Sequence, residues 1–380
     1  MLIKYIQTHP IPYQSPFIRY LIKNKIKIKV LYRSNMSTTK YYDQDFQKKI
    51  KWDTELLKNI DYKYLNYIGP NKVTSIFPIT TDFIEKIFDK NTKIIWVHGI
   101  KIWYNLIIII LSKFYKKKIF VRDEINILKK RSIFNYFVNK LFFNFIDNFI
   151  DCYLSIGSEN SRALKSFGVN KKKIHLVPYV VNNDFFSVKK NITNKKLQIL
   201  FTGKLIHRKG CDILLKSISL LNKDPNFKKN TEICIVGEGS LKGDLIEFKK
   251  KNNLTNVKFL GFKNQNSIKK YYKKADLMVI PSREENWGLA VNEAMASKNA
   301  IISSNAVGCV RDLIKNNHNG YIFKNDDYND LAKKILLIFD NKNKLIKFGN
   351  NSFKIISKWS FYECYIGLNN AIKFIKKNEY

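Results

Sequence analysis

Short apolar runs alternate with longer amphipathic stretches along most of the chain. Residues 2–6 (LIKYI), 26–32 (IKIKVLY), 94–98 (IIWVH), 118–122 (KIFVR) and 151–156 (DCYLSI) are rich in β-branched and aromatic side chains, with gaps long enough for crossover helices. A second series follows the turn-rich segment 182–194: 197–201 (LQILF), 232–236 (EICIV), 257–260 (VKFL), 276–280 (DLMVI) and 300–304 (AIISS). Such repetition predicts parallel sheets with helices on both faces. A chain of 380 residues exceeds what one core usually serves, so the two series predict two doubly wound, Rossmann-like domains. The expected bounds are 1–185 and 190–357, with a linker near 182–195 and a terminal helix, about 358–380, packing back on the first domain. Ligands bind such sheets beyond the carboxyl ends of the strands, which predicts a cleft facing both domains.

Segment 132–150 (SIFNYFVNKLFFNFIDNFI) reads as a helix with apolar residues over more than half its circumference, preceded by Lys129, Lys130 and Arg131. Because it leads directly into a sheet strand, a core-facing helix is expected; the alternative is a helix dipping into a membrane interface. The N-terminus, MLIKYIQTHPIPYQ, has no apolar core of signal-peptide length, and the most apolar run, Leu106 to Leu111, is too short to span a bilayer. Five cysteines without a C-x-x-C pair argue against a disulfide framework or a zinc site, and a cytoplasmic location is expected.

The chain carries 68 Lys and Arg against 31 Asp and Glu, a net charge of +37. Nucleic acid, an anionic membrane surface and compositional drift each account for such a charge. The basic residues are spread along the whole length, without a reading module or a concentrated stripe, so no nucleic-acid partner is expected. A field of this sign still favours phosphate and anionic lipid.

Three loops carry the candidate chemistry. After Phe201, the stretch TGKLIHRKG offers Gly203 for close backbone approach and Lys204, Arg208 and Lys209 as cations suited to a diphosphate. After Val236, GEGSL brings Gly237 to a strand end; taken alone these residues read better as a βα turn with Ser240 as helix N-cap, since the third glycine of a dinucleotide fingerprint is absent. After Ile280, PSREENWGLAVNEAMA gathers three carboxylates in a basic chain. There the N–H groups of Gly288 and Leu289 open a helix and present its positive end, while Glu285 and Glu293 are placed to accept hydrogen bonds from sugar hydroxyls.

This last stretch, with its Glu285–x7–Glu293 spacing, resembles the signature of the retaining glycosyltransferases of family 4, which have the GT-B fold. The resemblance extends through FTGKLIHRKG, VGEGSLKGDL, VKFLGF, ADLMVIPS and SSNAVGCVRDLIKNNHNGYIF, and reaches the first half through THPIPYQSPFIRYL, YYDQDF and KWDTELL. It implies a GT-B fold of two Rossmann-like domains facing across a cleft, and transfer of a sugar from a nucleoside-diphosphate sugar, UDP- or GDP-linked, to a glycan or lipid-linked acceptor. A role in surface-polysaccharide or lipopolysaccharide synthesis follows, with no metal and no tightly bound cofactor. By the same resemblance Glu293 binds the ribose hydroxyls, Glu285 the transferred sugar, Lys204 and Lys209 the diphosphate with Gly288 and Leu289, and Gly261 and Phe262 the base.

Two departures stand out. Lys204 occupies a position that is usually Arg, and Arg122-Asp123-Glu124 stands where the family often has His. His98, at the end of 94–98, is therefore the first candidate for touching the reacting sugar, with Arg122 and Asp123 next. A sugar-nucleotide epimerase or phosphorylase of the same fold is the alternative activity, and a basic nucleic-acid-binding protein the alternative class.

Overall fold

The computed structural model describes residues 1–70, 74, 78–129, 131–188 and 196–378. Lys130 and half of the expected linker, residues 189–195, lie outside the described residues. Two units emerge: residues 1–41, 54–179 and 361–380 form the first, and residues 42–53 and 180–360 the second. The first unit differs from the expected span of 1–185 at two places, because segment 42–53 and residues 180–185 belong to the second unit.

The strands in chain order are β1 (Leu2–Gln7), β2 (Ile28–Tyr32), β3 (Tyr41–Asp43), β4 (Lys48–Ile50), β5 (Tyr62–Tyr64), β6 (Tyr67–Ile68), β7 (Ile79–Thr80), β8 (Thr92–His98), β9 (Lys118–Arg122), β10 (Cys152–Ser155) and β11 (Ile174–Leu176). The second series is β12 (Leu197–Thr202), β13 (Thr231–Val236), β14 (Val257–Phe259), β15 (Leu277–Ile280), β16 (Ala300–Ser304) and β17 (Gly320–Phe323). The first unit holds a seven-stranded sheet, β11-β10-β9-β8-β1-β2-β5, and the second a six-stranded sheet, β14-β13-β12-β15-β16-β17; every pairing in both is parallel. β3 pairs with β4, and β6 runs antiparallel to β7.

Burial on both faces explains why the central strands read as continuous apolar runs. All four residues of β15 are buried, and Ile199, Phe201, Ile233, Ile235, Val279 and Ile302 interlock in one core. In the first unit Ile6, Leu31, Ile95, Val97, Ile119 and Val121 play the same part. Each fully buried side chain of this size contributes about 1.5–3 kcal/mol. The terminal helix Phe361–Lys377 lies in the first unit, where Phe361 packs against Phe17 at 6.1 Å and the Cys364 thiol donates to the Pro178 carbonyl.

The order of strands reverses between β8 and β1 in the first sheet and between β12 and β15 in the second. Loops leaving those strands diverge to opposite faces of the sheet and open a crevice, where open α/β sheets hold ligands.

The helix of segment 132–150 forms as Ile133–Ile146, with the Ser132 hydroxyl capping the Asn135 N–H, but it does not face the core along its length. Only Phe143 and Ile146 are buried, while Ile133 (80% exposed), Phe134 (75%), Leu141 (68%), Phe145 (59%) and Phe137 (57%) face solvent. Phe143 and Ile146, with Tyr136 packed on Phe167 and its hydroxyl donating to the Ser166 carbonyl, hold the helix, and a wide apolar face stays uncovered.

Candidate functional site in the second unit and a cavity in the first

The crevice of the second sheet is built by the loops after β12, β13 and β15. Gly203 and Gly237 meet there: a Cβ on Gly237 would lie 1.8 Å from the Gly203 carbonyl oxygen, so the two loop backbones touch only because no side chain stands between them. The Gly203 N–H donates to the Val236 carbonyl and the Leu205 N–H to Glu238, fixing one loop against the other. Ser240 is not a helix cap. The following helix, Lys242–Lys251, starts two residues later, with Leu241 at its cap position and no side-chain cap.

The loop after β15 is held by Arg283, whose two Nη atoms donate to the two carboxylate oxygens of Asp212 (2.8 and 2.7 Å) while Nε reaches Asp326 at 2.9 Å. This fork-to-carboxylate geometry is rigid and directional. Its backbone is tied to its neighbours by Arg283 N–H to the Arg208 carbonyl and Gly308 N–H to the Glu285 carbonyl. So anchored, the loop turns Glu285 toward the cations of the β12 loop: Lys209 forms an ion pair and hydrogen bond with Glu285 Oε2, and Arg208 lies 3.8 Å from Oε1. Gly288 follows at φ 100°, a left-handed conformation that glycine adopts without strain, and a Cβ there would meet Val307 Cγ1 at 2.9 Å. The helix Leu289–Ala296 starts from it, and its first N–H groups have no intrahelical acceptor.

Glu293 is on that helix, buried with 7% exposure. The Tyr272 hydroxyl donates to Glu293 Oε2 at 2.7 Å and is itself 2.8 Å from the Thr202 hydroxyl at the end of β12. Burial pushes the Glu293 carboxyl up to about 7, against the opposing pull of the tyrosine hydrogen bond. Tyr272 therefore sets the position and proton affinity of a residue singled out from sequence, although sequence reasoning passed over it. The available signal was its place four residues after Ile268 on one face of the helix Gln265–Lys274.

Lys204 and Phe262, also expected to bind the donor, are already engaged through contacts that local sequence does not encode. Lys204 pairs with Asp45 at 2.8 Å and Asp43 at 3.4 Å. Phe262, next to Gly261 after β14, is flanked edge-on by Phe46 and Trp52 at ring distances of 5.1 and 6.2 Å.

In the first unit, the ends of β1, β8 and β9 enclose a cavity of 320 Å³ lined by Gln7, Thr8, Ile11, Gln14, His98, Gly99, Ile102, Asp123 and Glu124. The His98 ring is held on both sides, with Nδ1 3.1 Å from the Tyr5 hydroxyl and Nε2 3.2 Å from the Tyr179 hydroxyl. The Tyr179 hydroxyl donates to Glu124. Arg122, the next candidate from sequence, takes no part in this cavity lining: it is buried, donates to the Val177 and Pro178 carbonyls and stacks on Tyr179 at 4.6 Å. Asp123 accepts from the Ile100 N–H, and burial raises its proton affinity. Among the described residues no group of three or more His, Cys, Asp or Glu is placed to hold a metal ion, and no helix is long and apolar enough to cross a membrane.

Residues 182–355 match the family model described as glycosyl transferases group 1. A Campylobacter jejuni protein named GalNAc-alpha-(1->4)-GalNAc-alpha-(1->3)-diNAcBac-PP-undecaprenol alpha-1,4-N-acetyl-D-galactosaminyltransferase is 31% identical over 204 residues, 54% of this chain and 55% of that protein. The chain spans about half the length of the curated relatives it matches first. Sucrose-phosphate synthase from Thermosynechococcus elongatus superposes with a TM-score of 0.75 at 18% identity, covering 100% of both chains. Anabaena HepE in complex with UDP and glucose superposes with a TM-score of 0.73 at 15% identity, covering 98% of this chain and 99% of that one. At these identities the structural likeness concerns the fold, which is GT-B.

Proposed function

We propose that this chain, whose residues 182–355 match the family model for glycosyl transferases group 1, moves a sugar from a nucleoside-diphosphate sugar to a glycan or lipid-linked acceptor in cell-surface polysaccharide or lipopolysaccharide synthesis. The observation that carries the reading is the meeting of the Lys209–Glu285 pair, the Gly203–Gly237 contact and the Gly288 helix start around the switch point between β12 and β15. Anabaena HepE, with UDP and glucose, and the Campylobacter relative, whose name carries an undecaprenol diphosphate, support the donor and acceptor classes. UDP- or GDP-sugar is the expected donor, and no tightly bound cofactor is required.

In this reading the bond between the anomeric carbon and the diphosphate oxygen breaks while the acceptor hydroxyl oxygen attacks on the same face, as in retaining enzymes of family 4. Its proton passes to the departing phosphate, and no metal takes part. Lys209, Lys204 and the N–H groups of Gly288 and Leu289 stabilise the charge that develops on the leaving group. Glu285, oriented by Lys209, accepts from hydroxyls of the transferred sugar; Glu293 accepts from the ribose, and the segment of Gly261 and Phe262 packs on the base. His98 is the first unit's contact for a sugar hydroxyl, its ring fixed by Tyr5 and Tyr179.

The exposed face of the helix Ile133–Ile146, with Lys129 and Arg131 before it and Lys140 within it, supports peripheral attachment to the anionic cytoplasmic face of a membrane. The test of function is incubation with UDP- and GDP-sugars, with and without lipid-linked glycans. Acceptor-dependent release of nucleoside diphosphate, with the anomeric configuration of the donor kept in the product, is expected. Donor turnover that ignores every acceptor points instead to an epimerase or phosphorylase.

A further inference from the structure

Segment 42–53 leaves the first unit's sequence and packs wholly within the second. Its two strands, β3 and β4, are joined by a turn in which Asp43 accepts from the N–H groups of Asp45 and Phe46 at 3.0 Å, so both acidic side chains stay at the tip. That tip lies on the β12 loop: Asp45 and Asp43 pair with Lys204, whose ammonium also sits 4.9 Å from the centre of the Phe46 ring. Lys204, Arg208 and Lys209 together hold the Asp45 carboxyl below the usual range. The base of the segment is fastened to the loop after β14. The Asn264 side chain donates to the Lys51 carbonyl at 2.6 Å, and the Asn266 N–H and side chain reach Asp53 at 3.1 Å. Phe46 and Trp52 close on Phe262 between these ends.

Two carboxylates with one residue between them, held on a cation that follows a strand end, present to this loop the charge pattern of a diphosphate. We infer that the β3–β4 hairpin is an internal plug of the donor site, competing with the diphosphate of the nucleotide sugar for Lys204. The inference rests on the reading of Lys204 as a diphosphate ligand. Binding of the donor then exchanges one anionic partner for another at Lys204 and frees the hairpin tip, while the contacts of Lys51 and Asp53 keep its base in place. The plug keeps the cation from capturing free phosphate, and it makes the hairpin's release part of donor binding.

The test is a cycle of four proteins, wild type, Asp43→Asn/Asp45→Asn, Lys204→Ala and the triple variant, each titrated calorimetrically with UDP and with GDP at fixed ionic strength. Partly exposed ion pairs of this kind correspond to roughly 1.4-fold to fivefold in affinity each, and Lys204 makes two. The Asp43→Asn/Asp45→Asn protein is expected to bind one of the nucleotides about threefold to tenfold more tightly, and the gain should vanish when Lys204 is Ala, since the coupling runs through that side chain. If neither nucleotide binds more tightly to the Asn variant, or if the gain persists without Lys204, the plug is overturned while Lys204 keeps its role. If Lys204→Ala leaves both affinities unchanged, the assignment of Lys204 falls and the plug with it. Hydrogen exchange of the intact protein gives an independent readout: amides of 44–47 should exchange faster on saturation with UDP or GDP, and slower exchange there contradicts displacement.

Discussion

Replacing Glu293 by Gln separates what the buried carboxyl costs the fold from what it gives the ligand. The unfolded chain releases this proton near the ordinary value of 4.5, and the folded protein near 7. Between those values the folded state holds a proton that the unfolded state has lost. The stability associated with the neutral acid is therefore fully present below about pH 4.5 and is lost as pH rises through 7. The gap between 4.5 and about 7, at about 1.4 kcal/mol for each tenfold in proton affinity, gives a deficit of about 3–4 kcal/mol above pH 7, against about 1 kcal/mol at pH 5. Gln does not ionise, and its side-chain oxygen keeps the acceptor for the Tyr272 hydroxyl, so Glu293→Gln removes the deficit without opening a cavity. For a unit of this size about 1 kcal/mol moves the melting temperature by roughly 2–4 °C. Differential scanning calorimetry at fixed ionic strength should show the variant melting about 6–16 °C above wild type at pH 8 and only about 2–4 °C above it at pH 5. The same variant should bind UDP- or GDP-sugar tenfold to a hundredfold more weakly, since hydrogen bonds to an ionised carboxylate contribute about 1.5–3 kcal/mol. Parallel melting curves for the two proteins from pH 5 to 8 would refute the reasoning about burial, and undiminished donor binding the reasoning about the ribose.

Other outcomes follow from neighbouring contacts. Tyr272→Phe removes the hydrogen bond that favours ionised Glu293, so the rise of donor affinity with pH should shift to higher pH; an unchanged profile means the tyrosine does not tune the carboxyl. Lys209→Ala should lower nucleoside diphosphate release by two orders of magnitude or more, read as steady-state turnover, and wild-type rates exclude Lys209 from the site. Changing Phe134, Phe137 and Leu141 together to Ser should abolish co-sedimentation with anionic vesicles and leave the melting temperature within about 2 °C, because all three side chains face solvent. Equal partition of the wild type to anionic and neutral vesicles removes the electrostatic part of that reading.

The two parallel sheets were legible because fully covered strands read as unbroken apolar runs bounded by turns. β5 and β11 were not: they are three-residue edge strands, YKY and IHL, whose composition does not differ from a loop. β17 was quoted only as part of a motif, since GYIF alone is too short to separate strand from turn. The loops after β12 and β15 were legible as chemistry, and the structure sets Lys209 against Glu285 and Glu293 under Tyr272. Contacts of Lys204 with Asp43 and Asp45 span about 160 residues of chain, and local pattern carries no trace of such a pairing. The orientation of the helix Ile133–Ile146 failed for a related reason. A helix apolar over more than half its circumference offers several faces that could turn inward, and tertiary packing chose the one with Phe143 and Ile146.

A crystal structure of the protein with a UDP- or GDP-sugar tests the central claim most directly. The account places the diphosphate within hydrogen-bond reach of Lys209 and of the N–H groups of Gly288 and Leu289, the ribose hydroxyls on Glu293 and the sugar on Glu285. A nucleotide bound away from the carboxyl ends of β12 and β15, with the Lys209–Glu285 pair untouched by ligand, would contradict it.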